Sequence, residues 1–191
     1  AGKTLKSIII SCVTRLQPFL IPQVVNLTKT DDLHLERMGE EKTALFIIIP
    51  QADHTYNFLS SMLYHQLFET LYFTAEKQKA TTGDERLKIP VRCMMDEFAN
   101  CGEVPDFPSR LATMRKYNIS ATIALQNISQ IEAMYEDDWK TLVGNCSTVV
   151  FLGSQEPEVL KYFSEMLGKT TIRARSEGIT TGQRSGANQN Y

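Results

Sequence analysis

A chain of 191 residues is long enough for one hydrophobic core of ordinary size, or for one domain and a piece of another. Its hydrophobic fraction of 42% and charged fraction of 22% are typical of a globular protein. The formal net charge of −2 argues against a surface that coats nucleic acid throughout, although it leaves room for a local basic patch. No apolar run approaches the length of a membrane span, and nothing resembles a signal peptide.

Cysteine and histidine side chains give no metal-binding pattern. The three histidines have no ligand spacing, and the four cysteines contain no C-x-x-C pair: Cys12, Cys93, Cys101 and Cys146. We expect buried free thiols in a reducing compartment, in preference to disulfides or metal ligation.

The first half of the chain predicts two helices and one strand. Apolar residues at helical spacing predict a helix over Gly2–Leu16. The apolar run at 44–49 is closed by Pro50, as expected for a central parallel strand that is covered on both faces. A helix with an apolar stripe over 58–72 follows, and then a polar surface loop at 77–84.

The second half alternates between strands and helices. The predicted strands are Val91–Met95, 119–125 and 148–152, and the predicted helices are 108–117, 128–143 with Trp139 facing inward, and Pro157–Leu167 ended by Gly168. From 176 onward Ile179 is the one large apolar side chain before Tyr191, which predicts a disordered tail. Repeated strand–helix alternation predicts an α/β fold with a mainly parallel sheet and helices on both faces.

Two adjacent carboxylates, Asp96 and Glu97, follow directly after the strand Val91–Met95. Carboxylates at the end of a buried strand lie at the sheet edge where open α/β folds bind ligands. In P-loop ATPases this pattern is the Walker B element, whose Asp holds Mg²⁺ and whose Glu orients or deprotonates the attacking water. On the dipeptide alone, a solvated acidic turn is an equally good interpretation.

The tripeptide Gly2-Lys3-Thr4 has the letters that end a P-loop. A working P-loop needs a preceding strand and a glycine-rich turn whose backbone N–H groups surround the phosphates. Neither stands in this sequence, so we interpret the tripeptide as the start of a helix and keep a truncated P-loop as the alternative.

Three blocks of sequence carry a resemblance to a known family. The first comprises 42–50 with 57–58 and 62–68, the second 96–100 with 111–117, and the third 124–131 with 151–153 and 167–170. From 1 to 173 the chain resembles the TraG/TraD family of type IV secretion coupling proteins, the conjugative DNA-transfer ATPases of the HerA/FtsK-like group. The resemblance is closest to the forms carried by conjugative elements of Gram-positive bacteria.

The resemblance implies that the chain is the C-terminal part of a RecA-like motor domain. In that family a segment like 1–43 ends a helical domain inserted between Walker A and Walker B, and 44–175 is the part of the motor domain with the Walker B and sensor region. The segment 176–191 would be a disordered tail. The P-loop and a membrane anchor would lie upstream, outside this chain, and the complete motor would be a hexamer.

The resemblance also implies roles for individual residues. Asp96 would hold Mg²⁺, Glu97 would be the catalytic base, and Gln126 would contact the γ-phosphate or the lytic water as a sensor. ATP and Mg²⁺ would be bound by these residues in the full-length protein, and we expect neither to be bound by this chain alone. For Gln126 the alternative is an amide that caps the next helix. For Arg110 and Arg115 we expect solvated helix positions in preference to contacts with a neighbouring subunit or DNA.

The function implied is recruitment of a relaxase–DNA complex and translocation of DNA through a type IV secretion channel. The expected partners are the relaxase or relaxosome, single-stranded DNA and channel components, and the expected location is the cytoplasmic face of the bacterial membrane. Two other classes stay open. One is a nucleotide-independent module that recognises the relaxosome, and the other is an unrelated α/β enzyme that uses Asp96 and Glu97 for metal-dependent hydrolysis.

Overall fold

The computed structural model describes residues 2–50 and 54–171. Their helices and strands follow in chain order: α1 (Gly2–Leu16), α2 (Pro22–Thr28), α3 (Asn57–Thr82), β1 (Val91–Met95), α4 (Phe107–Met114), β2 (Ile119–Ile123), α5 (Ile128–Tyr135), α6 (Trp139–Gly144) and α7 (Pro157–Leu167). Short 3₁₀ helices lie between them at Gln17–Leu20, Leu35–Arg37, Phe98–Cys101, Arg115–Tyr117 and Glu136–Asp138.

Strands β1 and β2 form a two-stranded parallel sheet, and α4 lies in the crossover between them. The register pairs Val91 with Ile119 at one end and Met95 with Ile123 at the other. The sheet and its flanking helices confirm the predicted α/β class. Successive side chains of β1 point to opposite faces of the sheet, and the two faces differ sharply in burial. Met95 is 2% exposed, whereas Met94, on the other face, is 74% exposed.

Two predicted strands are not formed. The segments 44–49 and 148–152 have no regular strand hydrogen bonding. In the first segment burial alternates, with Phe46 86% and Ile48 93% exposed, whereas Leu45, Ile47 and Ile49 are half-buried. An apolar run becomes a central strand only where neighbouring strands supply hydrogen-bond partners and other elements cover both faces. Among the residues that the structure describes, β1 and β2 alone pair as strands.

Two helix boundaries also differ from the prediction. Helix α3 continues through most of the predicted loop at 77–84, because the segment 75–80 is rich in good helix formers. It ends at Gly83, which has φ 79° and donates its N–H to the carbonyl of Lys79 at 2.9 Å. The predicted helix 128–143 is instead broken at the acidic turn Glu136–Asp138, and Trp139 beyond the break is buried as expected.

The core that supports the sheet is aromatic. Phe68 of α3, Phe107 of α4 and Phe98 between β1 and α4 are fully buried. The ring centroids of Phe68 and Phe107 lie 5.8 Å apart, and those of Phe98 and Phe107 lie 5.0 Å apart. These contacts hold α3 and α4 against the segment that follows β1.

Helix α1 forms where it was predicted, but its apolar stripe is exposed, with Leu5 59% and Val13 59% accessible. None of the described helices has by itself the length and apolar character of a membrane span. The stretches Thr4–Leu20 and Pro22–Thr28, which meet at 80°, reach those limits only when they are taken together.

The described residues from Val149 onward belong to a second compact unit. Helix α7 confirms the predicted helix, and the rings of Phe151 and Phe163 stack within this unit at 4.3 Å. Gly168 with φ 77° follows the helix as predicted. The predicted disordered tail at 176–191 lies outside the described residues.

Gly102 is a glycine that the fold requires, because it has φ +76° and a Cβ there would stand 3.1 Å from the carbonyl oxygen of Asn57. We predict that Gly102→Ala lowers the free energy of unfolding by about 1–3 kcal/mol, as measured by urea denaturation. Gly144→Ala is the control: it lies at the end of α6 with nothing within 4 Å of the added methyl, and should be neutral or slightly stabilising. Equal effects of the two changes would contradict the prediction.

Candidate functional site

The polar side chains of the site lie at one edge of the sheet because β1 and β2 run in parallel. Asp96 and Glu97 follow the last residue of β1, and Gln126 comes three positions after the end of β2. The hydrogen bonding to β1 continues past the end of β2: Ala124 donates its N–H to the carbonyl of Met95 at 3.0 Å. The carboxyl ends of the two strands therefore meet at the edge where open α/β folds bind ligands.

The structure brings two of the predicted site residues into direct contact. The side-chain amide of Gln126 donates from Nε2 to Oε1 of Glu97 at 3.1 Å. Glu97 is half-buried, and Gln126 is exposed. Asp96 is exposed beside them, and its Oδ1 accepts the backbone N–H of Glu97 at 3.1 Å. The three residues thus form one polar edge that is open to solvent.

The backbone of Glu97 adopts the left-handed conformation, with φ 46° and ψ 53°. Few residues other than glycine, asparagine and aspartate adopt it, and such strain persists where surrounding structure enforces it. Phe98 supplies that enforcement, because its ring is buried and its N–H donates to the carbonyl of Ala124 at 3.1 Å. The turn that presents Glu97 is therefore fastened to both the core and β2.

Asn100 is a site residue that the sequence reasoning missed. Its Nδ2 donates to Oε2 of Glu97 at 2.7 Å, and its backbone N–H donates to the carbonyl of Glu97 at 2.8 Å. The signal in the sequence was the i, i+3 spacing, which places the two side chains on the same side of a 3₁₀ turn. The hydrophobic pattern did not show that 98–101 forms such a turn.

Helix α5 begins with a capping box formed by Asn127 and Gln130. Oδ1 of Asn127 accepts the N–H of Ser129 at 3.0 Å, and Oε1 of Gln130 accepts the N–H groups of Asn127 and Gln126, each at 3.2 Å. The helix start is thereby capped by other side chains, while the amide of Gln126 turns to Glu97. This geometry does not match the alternative of Gln126 as a helix cap.

Arg110 corrects an expectation, because it is 8% exposed and not a solvated helix arginine. Its Nη2 donates to Oε1 of Glu69 at 2.6 Å, its Nε donates to the carbonyl of Pro105 at 3.3 Å, and its guanidinium lies 5.9 Å from the ring centroid of Tyr72. Arg110 therefore ties α4 to α3. Arg115 is exposed, as expected.

The carboxylate oxygens of Asp96 and Glu97 suit a magnesium ion whose other ligands come from phosphate and water. No group of three or more His, Cys, Asp or Glu side chains able to hold a metal is found in the part of the chain that the structure describes. Mg²⁺ at phosphoryl-transfer sites is commonly bound by one or two carboxylates together with phosphate oxygens and water. Asp96 and Glu97 fit that donor set.

The ionisable groups beneath the site are kept neutral by burial. Desolvation raises the pKa of the Cys93 thiol in β1 to about 11 and that of the Tyr135 hydroxyl to about 12. Burial, followed by the nearby Cys101, also raises the pKa of Tyr64. All four cysteines are free thiols as predicted, but burial holds for Cys93 and Cys101 and not for the exposed Cys12.

Two parallel strands bring Asp96, Glu97 and the amide of Gln126 together at their carboxyl ends. This chain is therefore part of an α/β domain with a polar site at the edge of its sheet. The chain belongs to the family described as type IV secretory system conjugative DNA transfer, which matches residues 1–191. That match confirms the family resemblance seen in the sequence.

Two curated relatives are both called Protein VirD4. The protein from Rhizobium radiobacter is 23% identical over 157 residues, and that from Agrobacterium fabrum (strain C58) is 24% identical over 158 residues. Each alignment covers 81% of this chain and 22% of the relative, so the chain spans about a fifth of the length of these proteins. No solved structure gives a significant match.

The raised pKa values predict a loss of stability in alkali. The folded protein keeps Cys93 and Tyr135 protonated at pH values where the unfolded chain, with pKa values of 9.0 and 10.0, loses these protons. The unfolded state then binds fewer protons, so the free energy of unfolding falls as pH rises from about 9 to 11. The Cys93 thiol alone accounts for about 2–3 kcal/mol of this fall in the free energy of unfolding.

Urea denaturation of the wild type and of Cys93→Ala across this pH range would check the prediction, with Cys12→Ala as the exposed control. The Cys93 change should flatten the pH dependence, and the Cys12 change should leave it intact. A wild-type unfolding free energy that stays level from pH 9 to 11 would contradict it.

Proposed function

We propose that this chain is the C-terminal part of the motor domain of a conjugative DNA-transfer coupling ATPase, and that Asp96, Glu97 and Gln126 form part of its nucleotide site. The observation that carries the proposal is the 3.1 Å hydrogen bond from Gln126 to Glu97 across the carboxyl ends of two parallel strands, in a chain that belongs to the conjugative DNA transfer family. A catalytic carboxylate and an amide that touches it are the parts needed to orient a water for phosphoryl transfer.

In this proposal Glu97 is the general base. It is half-buried, fastened at its backbone, and held at Oε1 by an amide that could turn to a phosphate oxygen or a water. A positioned base contributes on the order of 10²–10⁴-fold to a rate. Gln126, exposed at the rim, is the proposed sensor, because its amide can exchange Glu97 for a ligand without disturbing the capped start of α5.

Asp96 is the proposed ligand of Mg²⁺, directly or through water. Its side chain is exposed at the strand end, and one of its oxygens is oriented by the N–H of Glu97. When bound with ATP, the ion would supply charge neutralisation at the transferring phosphate.

We propose that the whole protein recruits a relaxase–DNA complex and drives single-stranded DNA through a type IV secretion channel. It would work as a hexamer at the cytoplasmic face of the membrane, with its P-loop and a membrane anchor in sequence outside this chain. The support is the family match together with relatives of which this chain covers 22%.

Glu97→Gln in the full-length protein tests the proposal. We expect nucleotide binding to persist and ATP hydrolysis and DNA transfer to be lost, because the change removes the base and keeps the shape of the side chain. The measurements are nucleotide affinity by calorimetry, steady-state turnover and transfer frequency. Glu132→Gln, an exposed carboxylate on α5, is the matched control and should behave as wild type. Transfer at the wild-type frequency with Glu97→Gln would show that Glu97 is not the base.

We expect Gln126→Ala to impair ATP turnover and its coupling to DNA in the full-length protein without unfolding it. Because Gln126 is exposed and its backbone N–H stays bonded to Gln130, we expect a stability change of about 1 kcal/mol or less. ATP turnover and its stimulation by DNA should fall together. Gln66→Ala, an exposed glutamine on α3, controls for loss of an amide. Strong destabilisation with unchanged turnover per folded molecule would mark Gln126 as a structural residue.

A further inference from the structure

Each oxygen of the Glu97 carboxylate accepts a hydrogen bond from a side-chain amide. Oε1 accepts from Nε2 of Gln126 at 3.1 Å, and Oε2 accepts from Nδ2 of Asn100 at 2.7 Å. The second bond has the short length typical of a charge-assisted hydrogen bond. With one amide on each oxygen, Asn100 and Gln126 both restrain the orientation of the carboxylate.

The two amides differ in how firmly they are held. Asn100 is half-buried in the 3₁₀ turn Phe98–Cys101, both ends of which are buried, and its backbone N–H is also bonded to the carbonyl of Glu97 at 2.8 Å. Gln126 is exposed and lies three positions after the end of β2. Asn100 is therefore the more restrained partner of Glu97, whereas the exposed side chain of Gln126 has room to turn toward a ligand.

We propose that Asn100 is a positioning residue, which holds Oε2 of Glu97 so that Oε1 is the oxygen that accepts the proton once Gln126 turns away. This rests on the proposed function, in which Glu97 is the base. A donor on Oε2 stabilises the ionised carboxylate and restricts its side-chain rotation, which keeps the base oriented at no further entropic cost when the ligand arrives. Because an amide does not titrate, Asn100 adds no ionisable group of its own to the site.

The competing explanation is that Asn100 only stabilises the turn. The two explanations differ in whether the effect of changing Asn100 depends on the side chain at position 97. An asparagine that only stabilises the turn would affect folding equally with or without the Glu97 carboxylate, whereas a positioning residue is energetically coupled to that carboxylate.

The first experiment measures this coupling without any nucleotide. Unfolding equilibria of Asn100→Ala, Glu97→Ala and the double variant of the 191-residue chain form a double-mutant cycle. We expect the single effects on the unfolding equilibrium constant to be non-additive by roughly 2- to 10-fold. In ¹⁵N-labelled protein, the side-chain NH₂ resonances of Asn100 should move in Glu97→Ala. An additive cycle with unmoved resonances would overturn the proposal, whether or not Glu97 is the base.

The second experiment separates positioning from nucleotide binding in the full-length protein. We expect Asn100→Ala to lower kcat for ATP hydrolysis by about 10-fold and to leave KM within about 2-fold, because the interaction is exerted on the base and not on the substrate. The near-isosteric Asn100→Asp, which loses the donor and keeps the size, should lower kcat at least as far. Asn145→Ala is the control, since its Nδ2 donates to the carbonyl of Pro108 at 3.1 Å, away from the carboxylates.

A raised KM with unchanged kcat in Asn100→Ala would overturn the positioning role. Wild-type turnover in Glu97→Gln would instead overturn the proposed function, and the cycle would still report whether Asn100 is coupled to Glu97.

Discussion

The burial of Phe98 is the constraint on which the site depends. Its ring packs against those of Phe107 and Tyr135, at centroid distances of 5.0 and 6.2 Å, and it is fully inaccessible to solvent. Since Phe98 directly follows Glu97, burying this ring forces the preceding residue out of the core at the end of β1. The left-handed backbone conformation of Glu97 destabilises the fold locally by about 1–3 kcal/mol, and the aromatic packing of Phe98 offsets this strain.

Around this anchor, short polar contacts link elements that are distant in sequence. The hydroxyl of Tyr135 accepts the N–H of Val104 at 3.1 Å, which ties α5 to the loop before α4. Arg110 ties α4 to α3 through Glu69. On its core side the site is therefore supported by buried and hydrogen-bonded elements, while its solvent side consists of exposed Asp96 and Gln126. This arrangement suits the role proposed for Glu97, a carboxylate that stays oriented while a ligand binds and leaves.

The sheet is smaller than the apolar runs of the chain imply. Phe46 and Ile48 lie exposed, and so does Met94 on the open face of β1. Hydrophobic runs report that a segment can be buried, but they carry no information on which element covers it. The strand predictions at 44–49 and 148–152 failed for this reason, since neighbours that pair with a strand and cover it are a tertiary property.

The sequence by itself determined the α/β class, the positions of β1, β2, α1 and α7, and the family, because these follow from local periodicity and from short blocks of residue types. It also determined that Asp96, Glu97 and Gln126 come shortly after the ends of strands. Only the tertiary structure decided that Gln126 reaches Glu97, that Asn100 holds the other oxygen, and that Arg110 is buried. The physical reason is that side-chain hydrogen bonds depend on strand register, turn conformation and burial at a scale of a few tenths of an ångström, and a hydrophobic pattern does not encode these.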